Sequence, residues 1–167
     1  MSEKAYVNIQ GGAGTLQIVK QGTGDVAFVY PANIEAVSAL TTAFTTTSTT
    51  AVMAGAGLTF TPEKGSGIVK VSLAAVVSNA TASDGVKAQI AYGTGSAPAA
   101  GAAATGTAVG DASAFTSAAA SAAGTIPLVA VITGLTPGVA YWIDLQVAAV
   151  TGGTASVGPV YGYIEEA

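Results

Sequence analysis

The sequence has no cysteine and no histidine, and all five of its basic residues are lysine. No thiolate or imidazole is therefore available for a zinc, haem or iron–sulfur site, and no cofactor is expected. A Ser-His-Asp or Cys-His mechanism has no base. Charge is scarce, at 8% of residues, and the net charge is −4. Without arginine or clustered lysine there is no cationic surface to displace counterions, which argues against nucleic acid as a partner. Long apolar runs are also missing. The densest, Val71–Val77 and Ile126–Ile132, are far short of the roughly 20 residues that a spanning helix needs, so no membrane partner is expected. The first residues, Met1-Ser2-Glu3-Lys4, lack the pattern of a secretion signal. Synthesis in a cytoplasm is the expectation. With this inventory the chain is not expected to be an enzyme.

What is present is small. Alanine, glycine, threonine and serine number 36, 22, 21 and 12, so little bulk is available to fill a core. The hydrophobic fraction of 50% and the mean hydropathy of +0.58 are mostly alanine. Burying alanine removes little apolar area, at about 25 cal/mol per Å², and ordering glycine is entropically costly. A chain of this kind has a thin margin as an isolated monomer. Small side chains and few charges, in turn, make buried contacts between subunits cheap in desolvation.

Threonine, valine and isoleucine favour pleated strands over helices. Short apolar-alternating runs recur between turn residues, and the predicted strands are Ala5–Gln10, Thr15–Lys20, Val26–Tyr30, Ala51–Phe60, Gly67–Ser78, Val86–Gly93, Ile126–Thr133, Ala140–Ala149 and Ala155–Ile164. Gly11-Gly12-Ala13-Gly14 and Thr151-Gly152-Gly153-Thr154 read as hairpin turns, and Ala82-Ser83-Asp84-Gly85 as a third turn. The pattern predicts an all-β sandwich or barrel. Thr41–Thr50 reads as a linker or an edge strand, and a boundary is placed there. Residues 1–45 are expected to form an N-terminal β arm and residues 46–167 a β-sandwich. Ser96–Thr125, rich in alanine, glycine and serine, reads as a long surface excursion, with one or two helical turns possible in Ala112–Ala123.

Few motifs carry chemistry. Gly22-Thr23-Gly24-Asp25-Val26-Ala27 matches a dinucleotide fingerprint, yet a strand follows it where that chemistry needs a helix. Gly55-Ala56-Gly57 and Gly93-Thr94-Gly95 read as strand breaks or bulges. Asp144 interrupts the run Tyr141-Trp142-Ile143-Asp144-Leu145. Alternation puts it with Trp142 and Gln146 on the face opposite Tyr141, Ile143 and Leu145. An outer or inter-subunit face and a hydrogen-bonding role are expected for it, since no second carboxylate lies at ligand spacing. Leu135-Thr136-Pro137-Gly138-Val139-Ala140-Tyr141 resembles the turn into the penultimate strand of fibronectin type III domains. There a tyrosine bonds back to the backbone, so Pro137, Gly138 and Tyr141 are the candidate fold-defining turn.

From Thr41 onward the order of features resembles tailed-bacteriophage virion proteins. The features are Leu58-Thr59-Phe60-Thr61-Pro62, Gly67-Ile68-Val69-Lys70-Val71-Ser72-Leu73, Val86 to Gly95 with its Tyr92-Gly93-Thr94-Gly95 string, and Thr133 to Leu145 with Tyr141-Trp142-Ile143-Asp144-Leu145. The resemblance is to a jelly-roll module of head-decoration, spike and fibre-tip proteins, commonly trimeric. It implies a jelly-roll-like β-sandwich and a structural role in a virion. With a short β region ahead of the module and no shaft, the reading favours a capsid decoration (cement) protein. It would act as a homotrimer on the outer capsid surface, with the major capsid protein as partner. Tyr6, Val7, Ile9, Leu16, Ile18 and Val19 are the candidate attachment residues, by strand addition to the shell. The alternative is a spike or fibre tip binding a host-surface glycan, with Trp142 and Tyr161 as candidate stacking platforms, set against core or interface packing as the ordinary role of both.

Overall fold

The computed structural model describes residues 34–167 in full and, ahead of them, the strand backbones of residues 9–10, 15–21 and 25–29. The chain divides into two compact units, Met1–Asn33 and Ile34–Ala167. In the first, β1 (Ile9–Gln10), β2 (Thr15–Gln21) and β3 (Asp25–Val29) form an antiparallel sheet in the order β1-β2-β3.

The second unit is a β-sandwich with ten strands: β4 (Ile34–Ala39), β5 (Phe44–Thr46), β6 (Val52–Met53), β7 (Leu58–Phe60), β8 (Val69–Asn79), β9 (Gly85–Thr94), β10 (Thr107–Thr116), β11 (Gly124–Ile132), β12 (Tyr141–Ala149) and β13 (Ala155–Glu166). Among the described residues there is no helix. One antiparallel sheet has the order β10-β9-β12-β6, with β7 also on β12. The other has the order β11-β8-β13-β4, with β5 also on β13. The all-β sandwich expected from composition and turn chemistry is what forms.

Strict alternation builds the core. Val69, Val71, Leu73, Ala75 and Val77 of β8 point inward with Ile126, Leu128, Ala130 and Ile132 of β11. Opposite them stand Val86, Ala88 and Ile90 of β9 and Ile143, Leu145, Val147 and Ala149 of β12, all in one buried cluster. These side chains are small to mid-sized aliphatics, so the two sheets interdigitate closely, with Phe60 the one buried aromatic of the cluster among the described residues.

Three segments depart from the sequence reading, and a fourth, in the Thr41–Thr50 run, takes the edge-strand alternative of that reading. Ile34–Ala39, not predicted as a strand, pairs with β13 from Val160↔Ala39 to Glu165↔Ile34, so the compact units divide ahead of the boundary placed at 45/46. Phe44–Thr46, inside the Thr/Ser run, is a short edge strand on β13. The expected single strand Ala51–Phe60 is two short strands, because Gly55 and Gly57 adopt φ of 76° and 58° and take the chain out of the ladder. The Ser96–Thr125 segment, read as a surface excursion, holds a ten-residue strand, β10. It pairs along β9, with a shift between Val109 and Ser113. An edge strand buries little, so small residues suffice there.

Candidate interaction surface

The candidate chemistry of the carboxylates is taken up by the backbone. Asp144 is fully buried on the outward side of β12. Its carboxylate accepts the N–H groups of Gly55 at 3.1 Å, Ala56 at 2.8 Å and Leu145 at 2.7 Å. Burial pushes its pKa up from the usual carboxylate range, against the pull of those three donors. Glu166, also fully buried, accepts the backbone N–H groups of Glu63, at 3.1 Å, and Lys64.

At one end of the sandwich, Asp84 accepts from Gly85 at 2.7 Å and Thr151 at 3.0 Å. The Thr151 N–H holds its carboxyl below the usual range; desolvation opposes this and Gly85 adds to it. Asn79 ties the same end together, donating to the carbonyls of Gly85 and Gly152 and accepting from Thr81. Every buried side-chain nitrogen and oxygen among the described residues has a hydrogen-bond partner. Among those residues no group of three or more acidic, histidine or cysteine side chains could hold a metal. The geometry of these carboxylates fixes loops.

The turn before β12 is built from its residues directly. Pro137 and Gly138 occupy the central positions, Gly138 has φ of 78°, and the Val139 N–H reaches the Thr136 carbonyl at 3.2 Å. Proline followed by a residue of positive φ is a type II turn. The Tyr141 hydroxyl accepts the Thr136 N–H at 3.0 Å across this turn.

The outward faces of the two sheets differ. On the β10-β9-β12-β6 sheet, a strap running from β9 to β10 lies over the face. Its Ala102 packs beside a buried group of Met53, Ala91 and Trp142, and it is held by the bonds Met53 N–H to Ala102 carbonyl at 2.9 Å and Gly101 N–H to Met53 carbonyl at 2.8 Å. Trp142 is 5% exposed and its indole N–H donates to the Thr94 carbonyl at 3.1 Å. It is packed, and so is no stacking platform. The alternation assigned to Asp144 and Trp142 is observed, but the strap and the Gly55–Ala56 loop cover both.

The β11-β8-β13-β4 sheet presents a very different face. Ile34, Val129, Val131, Tyr161 and Tyr163 are exposed large hydrophobics on its outer side. Lys70 and Glu165, directly paired across β8 and β13, are the charged residues of this face, and the Lys70 ammonium lies 6.0 Å from the Tyr163 ring centroid. The sequence reading found Tyr161 and missed this face as a unit. The signal for it is that Ile126–Ile132 is apolar at outward as well as inward positions.

Of the attachment candidates, Ile9, Leu16, Ile18 and Val19 lie on the first unit's sheet, in the pairs Ile9↔Leu16, Ile18↔Phe28 and Val19↔Ala27. Tyr6 and Val7 lie outside the described residues, as do the Gly11–Gly14 turn and Gly22–Gly24. The strand Asp25–Val29 follows the fingerprint-like glycines.

No family model and no curated relative matches the sequence. Among solved structures, the fold is similar to chains in structures of infectious bursal disease virus. The Gx strain structure matches at TM-score 0.45 and 12% identity over 95% of this chain and 45% of that one. The Gt strain matches at 0.47 and 10%, over 93% and 40%. The VP2 subviral particle matches at 0.43 and 12%, over 96% and 45%. The chain thus spans less than half the length of these proteins.

Proposed function

We propose that the chain is a virion structural protein, a decoration (cement) protein that binds the outer head surface of a tailed bacteriophage as a homotrimer. The observation that carries this reading is the strand order. If β4 with β5, and β6 with β7, are each taken as one interrupted strand, the sandwich has eight strands. Successive strands then cross between the sheets except at the β9–β10 hairpin, an order that matches a jelly roll, a fold used by viral capsid and lectin domains. A fold alone does not assign a role. Two further features support this one: loops pinned by buried carboxylates, and an open, nearly uncharged outer sheet face suited to permanent contacts.

In this reading the first unit's β-strands attach to the major capsid protein by strand addition, through the region of Tyr6, Val7, Ile9, Leu16, Ile18 and Val19. A protein that binds only the assembled shell stabilises it by mass action, about 2.7 kcal/mol at a free concentration 100 times Kd. Trimer symmetry adds avidity. Nucleic acid and membrane have no part in it.

The test is copy number in purified particles of the encoding virus. Hundreds of copies on the head fit decoration; absence from the particle overturns the reading. Deletion of residues 2–20 is expected to empty the sites, and unchanged occupancy would refute attachment through that region. A second reading is a glycan-binding spike or fibre tip, favoured by exposed Tyr161 beside Tyr163 on one sheet face. A few dozen copies per particle would support it.

A further inference from the structure

The outer face of the β11-β8-β13-β4 sheet is ordered in three cross-strand rows. Taken across the sheet in that strand order, the first row is Pro127, Ala74, Tyr161 and Ser38. The second is Val129, Ser72, Tyr163 and Ala36. The third is Val131, Lys70, Glu165 and Ile34. In the first two rows large and small side chains therefore occupy mirror positions about the line between β8 and β13; in the third the mirror pairs are the one cation with the one anion, and Val131 with Ile34.

We propose that this face is a two-fold interface with a second copy of the chain, its axis running along the strands between β8 and β13. Such an axis lays β8 on the partner's β13 and β11 on the partner's β4, which is the aligned mode of sheet packing. In the first row Ala74 receives the partner's Tyr161, and Pro127 meets the partner's Ser38. In the second, Ser72 receives the partner's Tyr163, and Val129 meets the partner's Ala36. In the third, Lys70 faces the partner's Glu165, and Val131 packs on the partner's Ile34. Each pairing also occurs with the copies exchanged, as an isologous contact requires. A two-fold axis across the strands fails this test: it stacks Tyr163 on itself and sets Tyr161 over the partner's Glu165.

Area agrees with the geometry. Ile34, Val129, Val131, Tyr161 and Tyr163 are 59%, 56%, 58%, 52% and 38% exposed. Taking about 200 Å² for an aromatic side chain and somewhat less for an aliphatic one, they leave roughly 500 Å² open, near the top of what a monomer's largest apolar patch shows. The smaller residues between them bring the face to roughly 800 Å², the share each partner contributes to a standard interface. The sequence of β11 fits too. A strand apolar on both faces is the pattern of a strand buried on both faces, and among the described residues only one side of β11 is buried.

This inference does not depend on the virion role, and it can be tested on the purified full chain. Sedimentation across a concentration series is expected to show an association step that doubles the mass. Lys70→Glu and Glu165→Lys, separately, each put like charges opposite one another and should weaken that step by about tenfold or more. Mixed in equal amounts, the two variants carry complementary faces, and the step should return between them. A merely intramolecular Lys70–Glu165 pair cannot give that rescue. Ser72→Tyr, which leaves the charges alone and suits a strand, should also abolish the step, because the partner's Tyr163 then has no space. Variants that are folded by circular dichroism yet associate like the parent overturn the proposal. A parent chain that never doubles its mass also overturns it, leaving the face to the capsid protein or to residues 1–33. Loss of capsid binding with the doubling intact would sink the proposed function and leave this interface standing.

Discussion

The carboxylate of Asp144 accepts the backbone N–H of Ala56 at 2.8 Å, joining the middle of β12 to a loop 88 residues earlier in the chain. With the Gly55 and Leu145 donors, this makes Asp144 the clasp of the loop between β6 and β7. Replacement by alanine strands three donors, the buried Leu145 N–H and the part-buried Gly55 and Ala56 N–H groups, each costing up to about 1–3 kcal/mol less whatever water recovers. Asp144→Ala should lose about 3–5 kcal/mol in urea unfolding. Asp144→Asn keeps one acceptor oxygen and should lose clearly less. Equal losses for the two variants would show that the oxygen acceptors are not what the loop needs.

Asp144 and Asp84 give stability opposite dependences on pH. Folding raises the pKa of Asp144. Its contribution is therefore fullest below the unfolded carboxyl value of about 3.9 and declines as pH rises from there through the folded value. Folding lowers that of Asp84. Its contribution is present above the unfolded value and is lost as pH falls through the folded one. Urea unfolding from pH 3 to pH 7 should show the deficit of Asp84→Asn growing with pH and that of Asp144→Asn shrinking. Parallel curves for both variants would contradict the assigned shifts.

At the entry to β12, the Tyr141 hydroxyl accepts the Thr136 N–H. Tyr141→Phe removes that acceptor and leaves the ring packed against the core. The expected loss is about 1 kcal/mol, the net worth of one such bond. A loss above about 3 kcal/mol would mean that the ring had moved and the core had opened.

Much of this architecture was legible because the long strands of the sandwich carry their own periodicity. Val69, Val71, Leu73, Ala75 and Val77 alternate without a break, and β9, β11, β12 and β13 fall within about two residues of their predicted ends. The edge strands were not legible, for a physical reason. β10 offers inward only side chains such as Val109, Ser113 and Phe115, and β4 only Val37 and Ala39. Such short or small patterns look like loop until a neighbour's ladder orders them. The exposed sheet face was hidden by the same richness that marks β11: a run apolar at every position does not reveal which side faces out. Asp144 was legible as the odd polar residue of its strand, but its partners Gly55 and Ala56 were not, since nothing local to either segment encodes their meeting.

Trp142 is the single tryptophan and sits between Met53, Ala91 and Ala102 beneath the strap, so its emission reports that cover directly. In the folded chain it should be blue-shifted and resistant to acrylamide, and simple sugars should leave it unchanged. A Cβ added at Gly106 would run into the Trp142 ring and the Tyr92 carbonyl, neither of which has room to retreat. Gly106→Ala is therefore expected to lift the strap, at a cost of about 2–3 kcal/mol, moving Trp142 emission to the red and restoring quenching. Because the β-sheet core lies on the other side of β12, far-ultraviolet circular dichroism should stay close to that of the parent. If Gly106→Ala left the emission unmoved, the strap would not be what covers Trp142. If the sheet signal collapsed with it, the strap would be part of the folding core and not a cover laid over a finished sandwich.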